Sequence, residues 1–178
     1  MGFLFRKVSR TLSVFQTQLI IMTREEKFMH EAITLSQKGV RNNEGGPFGC
    51  IIVKDDKIVG RGNNKVTSSN DPTAHAEVVA IRGACKNLNT FQLEGCEIYT
   101  SCEPCPMCLG AIYWARPKVV YFANKREDAA NIGFDDSMIY EELGVDLDKR
   151  KIPIINLGRE EALKVFEEWK NKEDKITY

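Results

Sequence analysis

The sequence predicts a single α/β layered domain over residues 23–178. Three observations carry that expectation. Short apolar runs of strand character alternate along the chain with longer segments of helical period, which is the pattern of a sheet with helices packed on it. The 178 residues suffice for one ordinary domain with a real core, and 43% of them are apolar, near the globular average. No internal repeat and no low-complexity linker divides the chain.

Thr23-Arg24-Glu25-Glu26 is a capping box, in which threonine and the glutamate three residues on satisfy each other's free amides. It opens a helix that carries Phe28, Met29, Ile33 and Leu35 and is expected to stop near Gly39. Gly45-Gly46-Pro47 reads as a turn, and residues 50–53 and 58–59 as two strands joined at Asp55-Asp56. Residues 63–72 form a polar loop ending at Asp71-Pro72. Thr73 begins a second helix through Val78, Val79, Ile81 and Ala84, and Glu97-Ile98-Tyr99-Thr100 is a short strand. Pro104 starts a third helix, through Leu109, Ile112 and Trp114, because the first turn has no use for the amide hydrogen that proline lacks. Residues 118–122 are the next strand, and Gly133-Phe134-Asp135-Asp136 is a loop before a short helix ending at Gly144. Residues 152–157 read as a last strand, near a sheet edge because Pro153 cannot donate to a ladder. Residues 160–170 form an amphipathic terminal helix whose Leu163, Val165, Phe166 and Trp169 suit docking.

Lys and Arg number 25 against 25 Asp and Glu, so no bulk field gathers a polyanion, and nucleic acid is not an expected partner. No apolar run reaches the roughly 18 residues of a membrane span, and no membrane partner is expected. Residues 1–22 read differently from the rest, with Arg6, Lys7, Arg10, several Ser and Thr, and no acid. They are set apart from the fold as a leader, either a targeting segment or a non-native stretch ahead of a natural start at Met22. Of six cysteines, Cys102, Cys105 and Cys108 fall within seven residues. That is a metal-ligand spacing more than a disulfide framework, and a reducing, cytoplasmic location follows from it.

Cys105 and Cys108 lie three apart at a helix start, which puts both sulfurs on one face. First-turn amides carry the positive end of the helix dipole and favour thiolate. His75 sits at the start of the second helix, so two helix N-termini can bring two sulfurs and one nitrogen to a single cation. Zinc suits this mixed set, and three protein ligands leave the fourth tetrahedral position to a water whose pKa falls to about 7. Glu77, two residues past His75, is placed as the proton shuttle. His75-Ala76-Glu77 together with Pro104-Cys105-Pro106-Met107-Cys108 is the His-x-Glu…Pro-Cys-x-x-Cys pattern of zinc nucleobase deaminases. Two duller readings stand beside it. A Cys-x-x-Cys redox pair would leave His75 and Glu77 idle. A closed structural site that adds Cys102 has four sufficient ligands, although Cys102 precedes the helix and need not share its face. Cys50, Cys85 and Cys96 read as core residues.

The stretches Asp71-Pro72-Thr73-Ala74-His75-Ala76-Glu77 and Thr100-Ser101-Cys102-Glu103-Pro104-Cys105-Pro106-Met107-Cys108 resemble the cytidine-deaminase-like superfamily. Around them, Gly45-Gly46-Pro47-Phe48-Gly49, residues 111–117, Gly133-Phe134-Asp135-Asp136 and the terminal Tyr178 narrow the resemblance to the guanine deaminase family of bacteria, from about Thr23 to Tyr178. The resemblance implies a three-layer α/β/α fold with a central mixed five-stranded sheet. It implies one Zn2+ per chain on His75, Cys105 and Cys108, with Glu77 catalytic, and hydrolysis of guanine to xanthine and ammonia in purine catabolism. It further implies that Asn64 and Asp136 hydrogen-bond the purine, and that Phe48 and Trp114 lie against its ring. Finally it implies a homodimer with exchanged C-terminal segments, in which Tyr178 closes the partner's site. From the residues alone, Asn64 reads equally as a turn residue, Asp136 as a helix cap, Phe48 and Trp114 as core, and Tyr178 as a frayed terminus. Guanosine deaminases of the plant type share the Gly-Phe-Asp-Asp resemblance. A tRNA adenosine deaminase fits less well, since there is no basic cluster and a Tyr178 lid would block a polymer. A non-catalytic zinc-stabilised module would have no use for Glu77.

Overall fold

In a computed structural model, residues 22–178 are described, so the leader expected over residues 1–22 lies, Met22 apart, outside the described residues. Helix α1 (Arg24–Arg41) begins at the expected capping box: the Thr23 hydroxyl accepts from the Glu26 amide at 3.2 Å, and the Glu26 carboxylate accepts from the Thr23 amide at 2.7 Å. It runs through Gly39 instead of stopping there. That glycine is buried where a side chain would meet Asn63, so it serves a close approach and not a helix end.

Strands β1 (Gly49–Lys54) and β2 (Lys57–Asn63) form an antiparallel hairpin. Its two turn residues, Asp55 and Asp56, have φ of 48° and 61°, the left-handed pair whose twist matches the flanking strands and which aspartate tolerates. Within the polar loop lies a short helix α2 (Val66–Ser69), followed by α3 (Ala76–Leu88), β3 (Glu97–Cys102), α4 (Pro106–Ala115), β4 (Val119–Asn124), α5 (Arg126–Asn131), α6 (Ser137–Leu143) and α7 (Arg159–Asn171).

The sheet is mixed, as expected. Its order is β2-β1-β3-β4, with β1 antiparallel to β2 and β3, and β3 parallel to β4. It has four strands among the described residues and not five. Residues 152–157 form no strand, because Pro153 removes a donor and no neighbouring strand lies beside them; Ile155 and Leu157 are 82% and 92% exposed.

β1 is central and buried on both faces, which is why it reads as an unbroken apolar run. Alternation sends Cys50 and Ile52 to one side, where they meet Ala76, Ala80, Ala84 and Ile112 of α3 and α4. Ile51 and Val53 go to the other, against Ala32, Phe28 and Met29 of α1. The three alanines of α3 are spaced by four and present a flat stripe to β2. Gly60 and Gly62 sit under that stripe, and a Cβ at either would strike the α3 backbone. This contact of small residues sets α3, and with it the His75 end, directly on the sheet.

Both ligand-bearing helices start later than the sequence pattern suggests. Asp71 Oδ1 accepts from the amide and hydroxyl of Thr73, at 2.8 and 2.6 Å, and this local turn holds Thr73 out of α3, which starts at Ala76 with His75 as its N-cap. Pro106, not Pro104, takes the first position of α4. The proline forces the residue before it, Cys105, into extended backbone at the N-cap, with ψ of 168°. No helix among the described residues is long and apolar enough to cross a membrane.

Candidate active site

The two helix starts bring the expected donors together. His75 Nδ1 lies 3.5 Å from Cys105 Sγ and 3.5 Å from Cys108 Sγ, and the three atoms fall within 4.8 Å of one another. Tetrahedral zinc, with Zn–N near 2.0–2.1 Å and Zn–S near 2.3 Å, requires N···S separations of about 3.6 Å. The donors are thus already spaced for that ion, and their chemistry suits it. Cys105 is drawn down to about 4, first by a hydrogen bond from Cys108 and then by His75, against the opposing effect of burial. Cys108 is raised by Cys105 and by burial, and His75 is raised by its bond to Cys105. A cation bound by these donors would displace their protons.

Cys102 does not join them. Its Sγ turns to the carbonyl of Lys125 at 3.6 Å, and burial pushes its thiol up to about 11. Among the described residues the donor group is the three-residue set, so the four-ligand closed arrangement is not formed. The first turn of α3 carries Glu77, which is only 5% exposed. Its Oε1 accepts from the Thr100 hydroxyl at 2.9 Å, and Oε2 accepts from Cys108 Sγ at 3.4 Å. Burial raises its carboxyl above the usual range.

A cavity of about 390 Å³ opens beside these groups, and Phe48, Asn64 and Asp136 share it with His75, Glu77 and Cys105. Asn64 is buried, and its Oδ1 accepts from the amides of Gly46 and Val66 at 3.3 and 3.2 Å. Gly45 permits this, since a Cβ there would occupy the space of the Asn64 amide. Asp136 is the N-cap residue of α6 but makes no side-chain cap bond. Asp135 provides one instead, accepting from the Ser137 amide at 2.9 Å, and this leaves the Asp136 carboxyl facing the cavity. Burial, then the charge of Cys105, raises Asp136. Phe48 meets Phe134 edge to face, with centroids 4.9 Å apart.

Trp114 and Tyr178 lie elsewhere in this chain. Their rings are 5.9 Å apart, Tyr178 also meets Phe91 at 6.4 Å, and the two are 65% and 70% exposed. Thr100, Glu103 and Phe134 stand within the motifs but carry no individual role from the sequence, and Arg126 lies outside them, yet all touch Glu77 or the cavity. For Thr100 a signal existed: a hydroxyl in a short strand two residues before Cys102, the first cysteine of the cluster.

Residues 22–124 match the cytidine and deoxycytidylate deaminase zinc-binding region. The chain is 55% identical over 153 residues to guanine deaminase of Bacillus subtilis, a match that covers 86% of this chain and 98% of that one. The X-ray structure of guanine deaminase from Bacillus subtilis superposes with a TM-score of 0.85 at 54% identity, covering 88% of this chain and 99% of the other. A tRNA-specific adenosine deaminase of Aquifex aeolicus is 42% identical over 99 residues, 56% of this chain and 65% of its own. A solved guanine deaminase from Nitrosomonas europaea aligns with a TM-score of 0.60 at 28% identity, over 76% of this chain and 80% of that one. With the three-donor set, the buried Glu77 and the mixed sheet in place, the chain belongs to the cytidine and deoxycytidylate deaminase zinc-binding family.

Proposed function

We propose that this protein deaminates guanine hydrolytically, giving xanthine and ammonia. The observation that carries the chemistry is a buried Glu77 carboxylate beside a three-donor metal set at the floor of one cavity. Similarity along 98% of the Bacillus subtilis guanine deaminase selects the base.

His75 Nδ1, Cys105 Sγ and Cys108 Sγ would hold the zinc. When bound, zinc supplies a Lewis acid and a water acidified to a pKa of about 7. Glu77 accepts the proton of the water that attacks C2 and delivers it to ring N3, which makes C2 the better electrophile. The hydroxyl now on C2 then gives its proton through the same carboxylate to the amino group, the C2–N bond breaks, ammonia leaves as the C2 carbonyl forms, and Glu77 ends as it began. Thr100 ties Oε1, and Oε2 loses its Cys108 partner when that sulfur ligates as thiolate, so Oε2 would be the oxygen that carries the proton. Because Asn64 Oδ1 is committed to two backbone amides, the amide nitrogen is its face toward the base. Asp136, an acceptor, suits a ring N–H. Phe48, braced by Phe134, suits the ring face.

The reading includes a homodimer that exchanges C-terminal segments, with Trp114 and Tyr178 bordering the partner's cavity. Two features support it. Both rings pack together outside their own cavity, and α7 leaves Val165 and Phe166 in solvent, an apolar face in need of cover. Six free thiols suit the cytoplasm.

The test is ammonia release by zinc-loaded protein from guanine, guanosine, adenine, cytosine and a tRNA anticodon stem-loop, side by side. Guanine is expected to be the preferred substrate. Release from the stem-loop or guanosine with none from guanine would overturn the assignment.

A further inference from the structure

If guanine is the substrate, as proposed above, its C2 and N3 face the metal donors and Glu77. C6 lies across the ring from N3, so O6 and the neighbouring N7 point away from those groups. Both atoms are acceptors and need donors. The cavity wall is poor in donors. Glu77, Glu103, Asp135 and Asp136 supply carboxylates, which only accept when ionised. The Thr67 hydroxyl already donates to the carbonyl of Glu44 at 3.2 Å. Asn64 offers its one amide nitrogen. Among the described wall residues a single arginine remains, Arg126.

Arg126 is the first residue of α5, and its side chain is braced. The guanidinium lies over the Tyr140 ring of α6, 4.8 Å from the centroid. Nε faces Glu127 Oε1 at 3.5 Å, and the backbone amide donates to Glu103 Oε2 at 3.2 Å. A stacked, anchored guanidinium is a planar fork held in place, the arrangement suited to two acceptors side by side. In nucleic acids that fork on O6 and N7 is the commonest specific contact to guanine.

We propose that Arg126 is a specificity-determining residue that reads the O6/N7 edge of the purine through a two-pronged hydrogen bond. It sets guanine apart from purines that carry a C2 amino group but no O6. A role confined to bracing α5 on α6, or to offsetting Asp135 and Asp136, would affect every substrate alike.

The experiment measures kcat and KM for guanine and for 2-aminopurine, which keeps the C2 amino group and N7 but lacks O6. If 2-aminopurine is not turned over, its constant as a competitive inhibitor of guanine deamination takes the place of KM. Wild-type, Arg126→Gln and Arg126→Lys are compared as zinc-loaded protein. Arg126→Gln is expected to lower kcat/KM for guanine about tenfold or more, chiefly through KM, and to lower it several-fold less for 2-aminopurine, which loses only the N7 contact, so that the preference narrows. Arg126→Lys keeps the charge but loses the fork and moves the ratio in the same direction by less. An equal loss on both purines, or none on guanine, overturns the proposal. Wild-type protein inactive on guanine overturns the substrate assignment as well, and that result is visible before any substitution is made.

Discussion

The body that holds the site and the C-terminal stretch beyond it are packed in opposite ways. Through β4 the chain closes on itself: β1 is buried on both faces, and Glu77, Thr100 and Cys108 lie in the interior. From residue 151 onward every residue is exposed, and Leu157 and Phe166 stand 92% and 72% in solvent. Ion pairs repeat the contrast. Arg24 reaches Asp56 and Glu97 across the body, whereas Lys149–Asp146, Lys170–Glu167 and Lys172–Asp174 join neighbours in sequence. The difference teaches that the metal chemistry sits in a unit with its own core, while the tail's apolar groups stay in solvent, the surface on which the proposed dimer rests.

The largest effect is expected inside the body. Glu77→Ala should leave zinc bound, since Glu77 is not one of the three donors, yet remove the proton carrier. Acid–base catalysis of this kind is worth about 10²–10⁴-fold, so ammonia release from guanine should fall at least that far at unchanged metal content. Loss of zinc together with activity would show that Glu77 holds the metal or the fold.

Next comes the tail. Removing Lys175–Tyr178 should lower turnover by less than Glu77→Ala does and leave zinc content and the thermal midpoint nearly unchanged, because those residues make no part of the core. Replacing Val165 and Phe166 by serine should shift the sedimentation coefficient toward the monomer and cost activity in step. A truncated protein with full turnover would leave Tyr178 without a part in the site.

Thr100 tests how closely the body's interior is tuned. Thr100→Val keeps the shape and removes the donor to Glu77 Oε1. A buried carboxylate oxygen left without its donor costs about 1–3 kcal/mol, readable as a lower urea midpoint, and kcat should drop while KM holds. The isosteric swap separates this loss from packing. Unchanged stability and kcat would remove Thr100 from the account.

The metal set was legible because its donors sit in two short motifs, and the Cys105–Cys108 spacing at a helix start puts both sulfurs on one face. The partners of those motifs were not. That Thr100 holds Glu77 depends on β3 pairing beside β1 in the sheet that α3 covers, and that Arg126 meets the cavity depends on its guanidinium lying over Tyr140 of α6. Asp135 and Asp136 are alike in sequence, and only the turn geometry decides which one caps α6. The strand expected at residues 152–157 failed for a related reason. An apolar run shows readiness to pair, but a strand exists only beside a neighbour, and none is there. Helix starts slipped by two or three residues where an Asp71–Thr73 turn and the Cys105-Pro106 step outweighed the first plausible cap.

The smallest effect concerns the long-range ion pairs that mark the body. Arg24 Nη1 donates to Glu97 Oε2 at 2.8 Å, and the Tyr99 hydroxyl donates to the same oxygen at 2.7 Å. These bonds, Arg24 first, hold the Glu97 carboxyl below its ordinary value near 4.5. Between the depressed folded value and the ordinary one, the unfolded chain binds more protons than the folded chain, so stability rises with pH there. The contribution is complete above about pH 5 and is lost as pH falls through the folded value. Arg24 is partly exposed, and the gain is modest. Wild-type protein should melt about 1–3 °C above Glu97→Gln at pH 7, and the gap should narrow as the pH falls below the ordinary value near 4.5. A gap that acidification does not narrow would mean that the Glu97→Gln variant is penalised by packing and not by lost charge, and the body would then owe nothing to the pair that most visibly distinguishes it from the tail.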